Sequence, residues 1–412
     1  MLLSNPHAVR RPYSAYPVDL AAIMNIESAK QSQCWLAPWA ELARAATPLY
    51  ALPDLAGKLQ VGAIHVKDES VRSPLGSFKA LGAPVALVRQ VMRLYPAQDI
   101  EPEQVLAGRY APLLQDYTVI SATDGNHGRS LAAAARSAGC QCVIVLHAHV
   151  SAEREAAIAA YGARIVRITG NYDESVTVAA ELARTNDWQV ISDTSYEGYE
   201  DIPRDVMQGY GTIAAELVEQ GAGSDGKSAY SHIFLQGGVG GLAAGIVSYF
   251  WELYGVNRPR FIVVEPAQAD CLYQSALHGR ASRALGSIDS VMAGLACGET
   301  SPLAWRFLQP AVDYFLTIED ELAIQAMRVL AAGSEADIPI VAGESGVAGL
   351  AGLLSICSNK VCMKQVGLDA SSRVLVINTE GATAATVYHD LLGVSAQAVL
   401  AQQNSWKVRH HE

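Results

Sequence analysis

The chain is poor in charge, in paired cysteines and in long apolar runs, and each shortage closes off a class of function. Only 17% of its 412 residues are Asp, Glu, Lys or Arg, the formal net charge is −11, and basic residues never cluster beyond a neighbouring pair. Nucleic acid and anionic membrane surfaces, which need a concentrated positive field, are therefore not expected partners. Seven cysteines, an odd number with no Cys-x-x-Cys pair, make neither a metal pattern nor a disulfide framework. No apolar run approaches the roughly 18 residues of a membrane helix. The Arg10-Arg11 pair is followed by polar and aromatic residues with no apolar signal core, so a reducing cytoplasm is the expected location. No internal repeat or low-complexity segment interrupts the chain.

What is present is apolar residue in quantity. Half of the chain is hydrophobic, enough to bury a large core as two domains or one large α/β unit. After a polar, irregular stretch over 1–40, short β-branched runs recur at 63–66, 118–121, 142–146, 164–168, 189–192, 232–235, 261–264 and 374–377. Between most of them lie Ala-rich helical stretches, among them 129–138, 153–161, 174–184 and 242–254. Apolar strands alternating with helices predict open, mostly parallel sheets covered on both faces. Residues 196–228 carry a weaker β signal and are expected to form a crossing between domains.

In such folds chemistry sits where the carboxyl ends of strands meet helix starts. Lys79, in Gly76-Ser-Phe-Lys79, is expected on the first turn of a helix that Ser77 caps and Pro84 kinks. The positive end of a helix disfavours a second positive charge, and an amine that sheds its proton forms a Schiff base with an aldehyde. An ordinary surface lysine is the alternative. In Ser121-Ala-Thr-Asp-Gly-Asn-His-Gly128, Thr123, Gly125 and Gly128 would present amides to a carboxylate, and Asn126 a side-chain amide to a phenolic oxygen. A turn with an Asx cap explains Asp-Gly-Asn equally well. Gln236-Gly-Gly-Val-Gly-Gly241 lets the backbone wrap a tetrahedral anion, lacks the Lys-Ser/Thr of a nucleotide P-loop, and holds more glycines than close helix packing demands. Glu265 stands where a dinucleotide fold places its acid, but in Glu-Pro. Thr379 would offer a hydroxyl to a ring nitrogen, or serve as a cap.

An amine for an aldehyde, an amide for a phenolic oxygen, a cup for a phosphate and a hydroxyl for a pyridine nitrogen are together what pyridoxal 5'-phosphate requires. Thr47-Pro-Leu, Lys67-Asp-Glu, Gly76-Ser-Phe-Lys79, Thr123-Asp-Gly-Asn-His-Gly128 and the Gly237–Gly241 loop, in this order, resemble the fold-type II pyridoxal-phosphate enzymes of the tryptophan synthase β family. The resemblance implies a two-domain α/β fold, each domain an open, mostly parallel sheet flanked by helices, with the cofactor in the interdomain cleft. It would be held by Lys79, Asn126, Gly237, Gly238, Val239, Gly240, Gly241 and Thr379, and no metal is implied. The expected division is an arm over 1–40 packed on the large domain, a large cofactor-binding domain over 41–87 and 200–412, and a small mobile domain over 88–199.

Ser121–Arg129, Asp193-Thr-Ser-Tyr-Glu-Gly-Tyr-Glu200, Met207–Thr212, Val291–Glu299, Gly343-Glu-Ser-Gly346 and Thr379-Glu-Gly381 narrow the likeness. From about residue 35 to the last strand the chain resembles the diaminopropionate ammonia-lyases. That implies α,β-elimination of 2,3-diaminopropionate to pyruvate and two ammonia molecules in a homodimer. It also implies Lys79 and Asp124 as bases on opposite faces, serving the L- and D-substrate, with Asp193, Thr123, Gly125 and His127 at the substrate. A carboxylate at Asp124, where dehydratases carry a small residue, suits a cationic amine. For Asp193 a cap after a strand is the other reading. Leu81 replaces an arginine that dehydratases often carry two residues after the lysine, Ala382 replaces a polar residue of the relatives, and Glu344 receives no role. A serine or threonine dehydratase of the same fold and a non-catalytic pyridoxal-phosphate binding protein are the alternatives.

Overall fold

The computed structural model describes residues 1–9, 12–123, 125–148, 150–170, 172–221, 223 and 226–410. Among the described residues the strands are, in chain order, β1 (Leu2–Ser4), β2 (Leu49–Ala51), β3 (Ala63–Asp68), β4 (Thr118–Ala122), β5 (Gln141–Leu146), β6 (Arg164–Arg167), β7 (Gln189–Val190), β8 (His232–Gln236), β9 (Arg260–Pro266), β10 (Tyr314–Ile318) and β11 (Arg373–Asn378). One sheet runs β1-β10-β9-β8-β11-β3-β2, parallel except at its short edge strands β1 and β2. The other runs β6-β5-β4-β7 and is wholly parallel. Each apolar run singled out in the sequence lies in or overlaps one of these strands. Tyr314–Ile318 escaped notice because a short apolar run beside helices has no period of its own.

Contacts divide the chain into two units. The larger holds Met1–Asn25, Ala46–Val71 and Ile213–Glu412; the smaller holds Ile26–Ala45 and Arg72–Thr212. These bounds run differently from the expected ones. Lys79, expected with the large domain, groups with the four-stranded sheet, because the helix that follows it, Ala83–Leu94, packs on Asn126–Ala138. The stretch 1–40 is divided between the units, and 26–36 is helical rather than irregular. Much of the stretch read as a crossing is the helix Asp201–Gly221, whose buried Ile202, Val206, Tyr210, Ile213 and Leu217 recur at steps of three and four.

The lysine turn also departs from expectation. Ser77 makes no side-chain cap, Phe78–Leu81 is a short 3-10 turn, and the α-helix begins only at Ala83. Gly82 separates the two because a Cβ there would stand 2.7 Å from the Tyr210 ring. Pro84 falls in the first helical turn, where its missing N–H has no intrahelical acceptor to lose, so it starts the helix instead of kinking it.

In the larger unit Phe234, Val264, Val374 and Val376 of the sheet pack with Leu350 and Leu353 of the helix Ala348–Cys357. Burying each such side chain contributes about 1.5–3 kcal/mol. Gly352 lets the helix settle, since a Cβ there would lie 2.6 Å from Val264 Cγ2. In the smaller unit Ile120, Val143 and Val145 pack with Ala179 and Ala183. Among the described residues no helix is long and apolar enough to cross a membrane, and no three His, Cys, Asp or Glu side chains group as a metal site.

Candidate active site

In the smaller unit the lysine turn is built from carbonyls held by side chains. Gly76, at φ +74°, donates its amide to Ser73 O at 2.9 Å, the left-handed step that brings the chain into the turn. Ser130 Oγ donates to Lys79 O at 2.7 Å, while Arg129 donates to Leu75 O at 3.1 Å and Pro74 O at 3.2 Å. Both residues belong to the helix Asn126–Ala138 after β4. Lys79 Nζ donates to Asp193 Oδ2 and stands 5.2 Å from the Phe78 ring centroid and 5.9 Å from that of Tyr210. A four-residue 3-10 turn supplies little dipole, so the ammonium's electrostatic partner is a carboxylate rather than a helix start.

Asp193 follows β7, and β7 lies beside β4. Burial works against its charge, but the Lys79 ammonium and His127 outweigh it and hold the Asp193 carboxyl well below the usual carboxylate range. His127 Nδ1 is 3.8 Å from Asp193 Oδ2, and its Nε2 lies 2.9 Å from Ile191 O. A carbonyl only accepts, so Nε2 carries the proton. Burial pushes the His127 imidazole below its ordinary value, and it is neutral at pH 7. Thr123 is buried and its Oγ1 accepts the Gly125 amide at 3.3 Å. A Cβ on Gly128 would collide with Thr123 Cγ2, whereas Gly125 has open space around it. Asn126 opens the helix. Asp124 lies outside the described residues.

In the larger unit the glycine loop joins β8 to the helix Gly241–Tyr254. Its carbonyls are turned away into the protein. Gly237 O accepts from Gly240 N at 3.3 Å, Gly238 O from Cys271 Sγ at 3.4 Å, and Val239 O from Ser301 N at 3.0 Å. The amides of Gly238 and Val239 take no backbone carbonyl among the described residues. Gly238 at φ +65° and Gly240 at φ +100° make this reversal of the peptides possible, and a Cβ on Gly237 would run into the Glu265 side chain. Carbonyls tied back and amides left over at a helix start are what a phosphate requires, so this loop fits the phosphate of pyridoxal phosphate.

Thr379 directly follows β11, the neighbour of β8 in the sheet. β11 pairs with β8 with Val376 opposite Phe234, a register that carried forward sets Thr379 beside Gly237. Glu380 Oε1 accepts the Ser345 amide at 3.1 Å, and Ser345 Oγ accepts the Gly294 amide at 2.9 Å. Asn378 Nδ2 donates to Asp68 Oδ1 at 2.8 Å. Glu344 is buried in the same segment. Glu265, which sequence reasoning set aside, is fully buried behind Gly237 and accepts the Leu272 and Tyr273 amides at 3.0 and 2.8 Å, capping the helix Cys271–His278. Burial pushes its carboxyl up to about 8. Its position at the end of an apolar strand was the available signal. The structure thus brings Lys79, Asp193, His127, Thr123, Gly125 and Asn126 to the carboxyl edge of one sheet, and Gly237, Gly238, Val239, Gly240, Gly241 and Thr379 to that of the other.

A lysine on a loop-to-helix turn and a glycine loop with spare amides, each at the carboxyl edge of a parallel sheet, are what a pyridoxal-phosphate enzyme requires, and the family model described as pyridoxal-phosphate dependent enzyme matches residues 40–380. The diaminopropionate ammonia-lyase of Salmonella typhimurium is 38% identical over 357 residues, covering 84% of this chain and 88% of that protein. The Escherichia coli diaminopropionate ammonia-lyase in complex with D-serine superposes with a TM-score of 0.85 at 32% identity, covering 97% of this chain and 98% of that one. The same enzyme in complex with an aminoacrylate-PLP azomethine reaction intermediate gives 0.83 at 33% identity, covering 95% and 96%. The chain belongs to the diaminopropionate ammonia-lyase family of pyridoxal-phosphate enzymes.

Proposed function

We propose that this enzyme eliminates both amino groups of 2,3-diaminopropionate, releasing pyruvate and two ammonia molecules, and works as a homodimer in the cytoplasm. The bound cofactor's ring withdraws electrons from the substrate's α-carbon, which makes its proton removable. Lys79 Nζ would hold the cofactor's aldehyde carbon until the substrate's α-amine takes its place, and the amine so freed would take the α-proton of the L-substrate from its own side; Asp124 would take that of the D-substrate from the opposite side. Asn126 supports the phenolic oxygen, Gly237, Gly238, Val239, Gly240 and Gly241 the phosphate, and Thr379 the ring nitrogen. Thr123, Gly125 and His127 orient the substrate, and Asp193 holds its second, cationic amine until that amine departs. The two units take the parts of a large cofactor-binding domain and a smaller one that moves as substrate enters.

The observation that carries this reading is the Lys79–Asp193 pair. A carboxylate against the lysine suits a substrate with two amino groups, whereas serine and threonine, with an uncharged hydroxyl at the β-carbon, make no use of it. The experiment is a 2-oxo acid assay of the pyridoxal-phosphate-loaded protein with both enantiomers of 2,3-diaminopropionate, serine and threonine. Diaminopropionate should be turned over fastest; equal or better turnover of serine overturns the reading. Asp124→Asn should lose the D-isomer reaction selectively, and equal loss for both isomers would show that the face assignment is wrong.

A further inference from the structure

Asp193 sits just beyond a very short strand. β7 spans only Gln189–Val190, so sheet pairing ends before the carboxylate is reached. The residues in between are nevertheless pinned. Ile191 N donates to Ile120 O at 2.9 Å, and Ile191 O faces His127 Nε2 at 2.9 Å. The flanking groups are taken by one side chain: the Tyr199 hydroxyl donates to Val190 O at 2.9 Å and accepts from Ser192 N at 2.9 Å.

The local sequence explains how a residue so close in the chain reaches back. Tyr196-Glu-Gly-Tyr199 closes a tight turn in which Tyr199 N donates to Tyr196 O at 2.9 Å and Tyr196 N to Tyr199 O at 3.4 Å. Gly198 at φ +80° occupies the third position, which demands the left-handed region. The Tyr199 ring lies flat on the exposed Tyr196 ring, centroids 4.8 Å apart at 11°, which aims the hydroxyl at the segment 190–192. Burial raises the phenol above its ordinary value, so it remains a donor across the working pH range.

We infer that Tyr199 is a positioning residue: its hydroxyl clamps Val190 and Ser192 and thereby fixes the direction in which Asp193 meets Lys79. This rests on the role proposed for Asp193. Tyr199→Phe keeps the ring and its stacking and removes only the clamp, so kcat/KM for diaminopropionate should fall about tenfold. Asp193→Asn should cost more, and the double variant should be no worse than Asp193→Asn alone, because both changes remove one arrangement. The readout apart from turnover is the pH midpoint of the visible cofactor band in the loaded enzyme, set by charge near Lys79; Tyr199→Phe should move it in the same direction as Asp193→Asn, and Tyr196→Phe should leave it in place. A band unmoved by Tyr199→Phe while Asp193→Asn moves it, or losses that add in the double variant, overturns the inference. An Asp193→Asn enzyme with normal turnover and band would instead remove the role proposed for Asp193. In the unmodified loaded enzyme the Ser192 amide should exchange with deuterium slowly, and exchange at the rate of an open loop overturns the clamp whether or not the variant folds.

Discussion

Gly240→Ala probes the loop proposed to hold the phosphate through backbone geometry alone. Gly240 sits at φ +100° and ψ −4°, where an L-residue is strained by about 1–2 kcal/mol. The new methyl would stand 2.9 Å from Leu308 Cδ1 and 3.1 Å from Ala304 Cβ, both on the helix Pro302–Ala311, so it also crowds a packed surface. The strain is relieved by turning the 237–240 peptides, and that motion breaks the 3.3 Å bond from Gly240 N to Gly237 O and swings carbonyls toward the phosphate. Restoring the cup on binding then costs about 1–2 kcal/mol, a loss of pyridoxal phosphate affinity of roughly fivefold to thirtyfold. Absorbance titration of the cofactor into stripped protein measures it. Gly57→Ala is the control, since its Cβ meets nothing within 4 Å inside the helix Pro53–Leu59 and should leave affinity unchanged. A Gly240→Ala protein that binds the cofactor like the parent refutes the assignment of this loop to the phosphate.

Three further outcomes follow from the packing. Lys67 is fully buried, donating to Glu216 Oε2 at 2.6 Å, Thr47 O at 2.8 Å and Gln220 Oε1 at 2.8 Å, so Lys67→Met strands a buried carboxylate and should cost about 3–5 kcal/mol in a denaturant titration; a loss under 1 kcal/mol would speak against it. Glu265 has a folded pKa of about 8 against an ordinary 4.5, so the folded protein retains a proton that the unfolded chain releases. Its contribution is therefore present at low pH and lost as pH rises toward about 8, and Glu265→Gln should flatten the decline of Tm across that window; an unchanged slope contradicts this. Gly209→Ala places a Cβ against Leu81 O, at the end of the lysine turn, and should weaken the visible cofactor band well before it unfolds the protein at higher temperature; a normal band would mean that the turn has room to move.

Much of this arrangement was legible in the sequence. Strand and helix alternation was readable because short β-branched runs such as Cys142–Leu146 recur between Ala-rich helical stretches, the pattern of a parallel sheet covered on both faces. The glycine loop was readable because Gly237, Gly238 and Gly240 each do work that a Cβ would block. What escaped was tertiary. Gly82 breaks the helix at Lys79 because Tyr210, more than a hundred residues away, occupies the space, and no local rule announces that. The stretch 196–228, expected as a crossing because its β signal is weak, holds a helical period over 201–221 that the crossing reading passed over. The roles of Glu265 as a buried cap and of Tyr199 as a clamp depend on which backbone groups the fold presents to them, and Glu-Pro or Glu-Gly-Tyr alone does not carry that information.

In the proposed reaction two amino groups leave one substrate. The decisive measurement counts ammonia against pyruvate for the pyridoxal-phosphate-loaded enzyme supplied with 2,3-diaminopropionate. Two ammonia molecules should appear for each pyruvate, at a rate well above that with serine. One ammonia per pyruvate, or no pyruvate from diaminopropionate while serine is consumed, would contradict it.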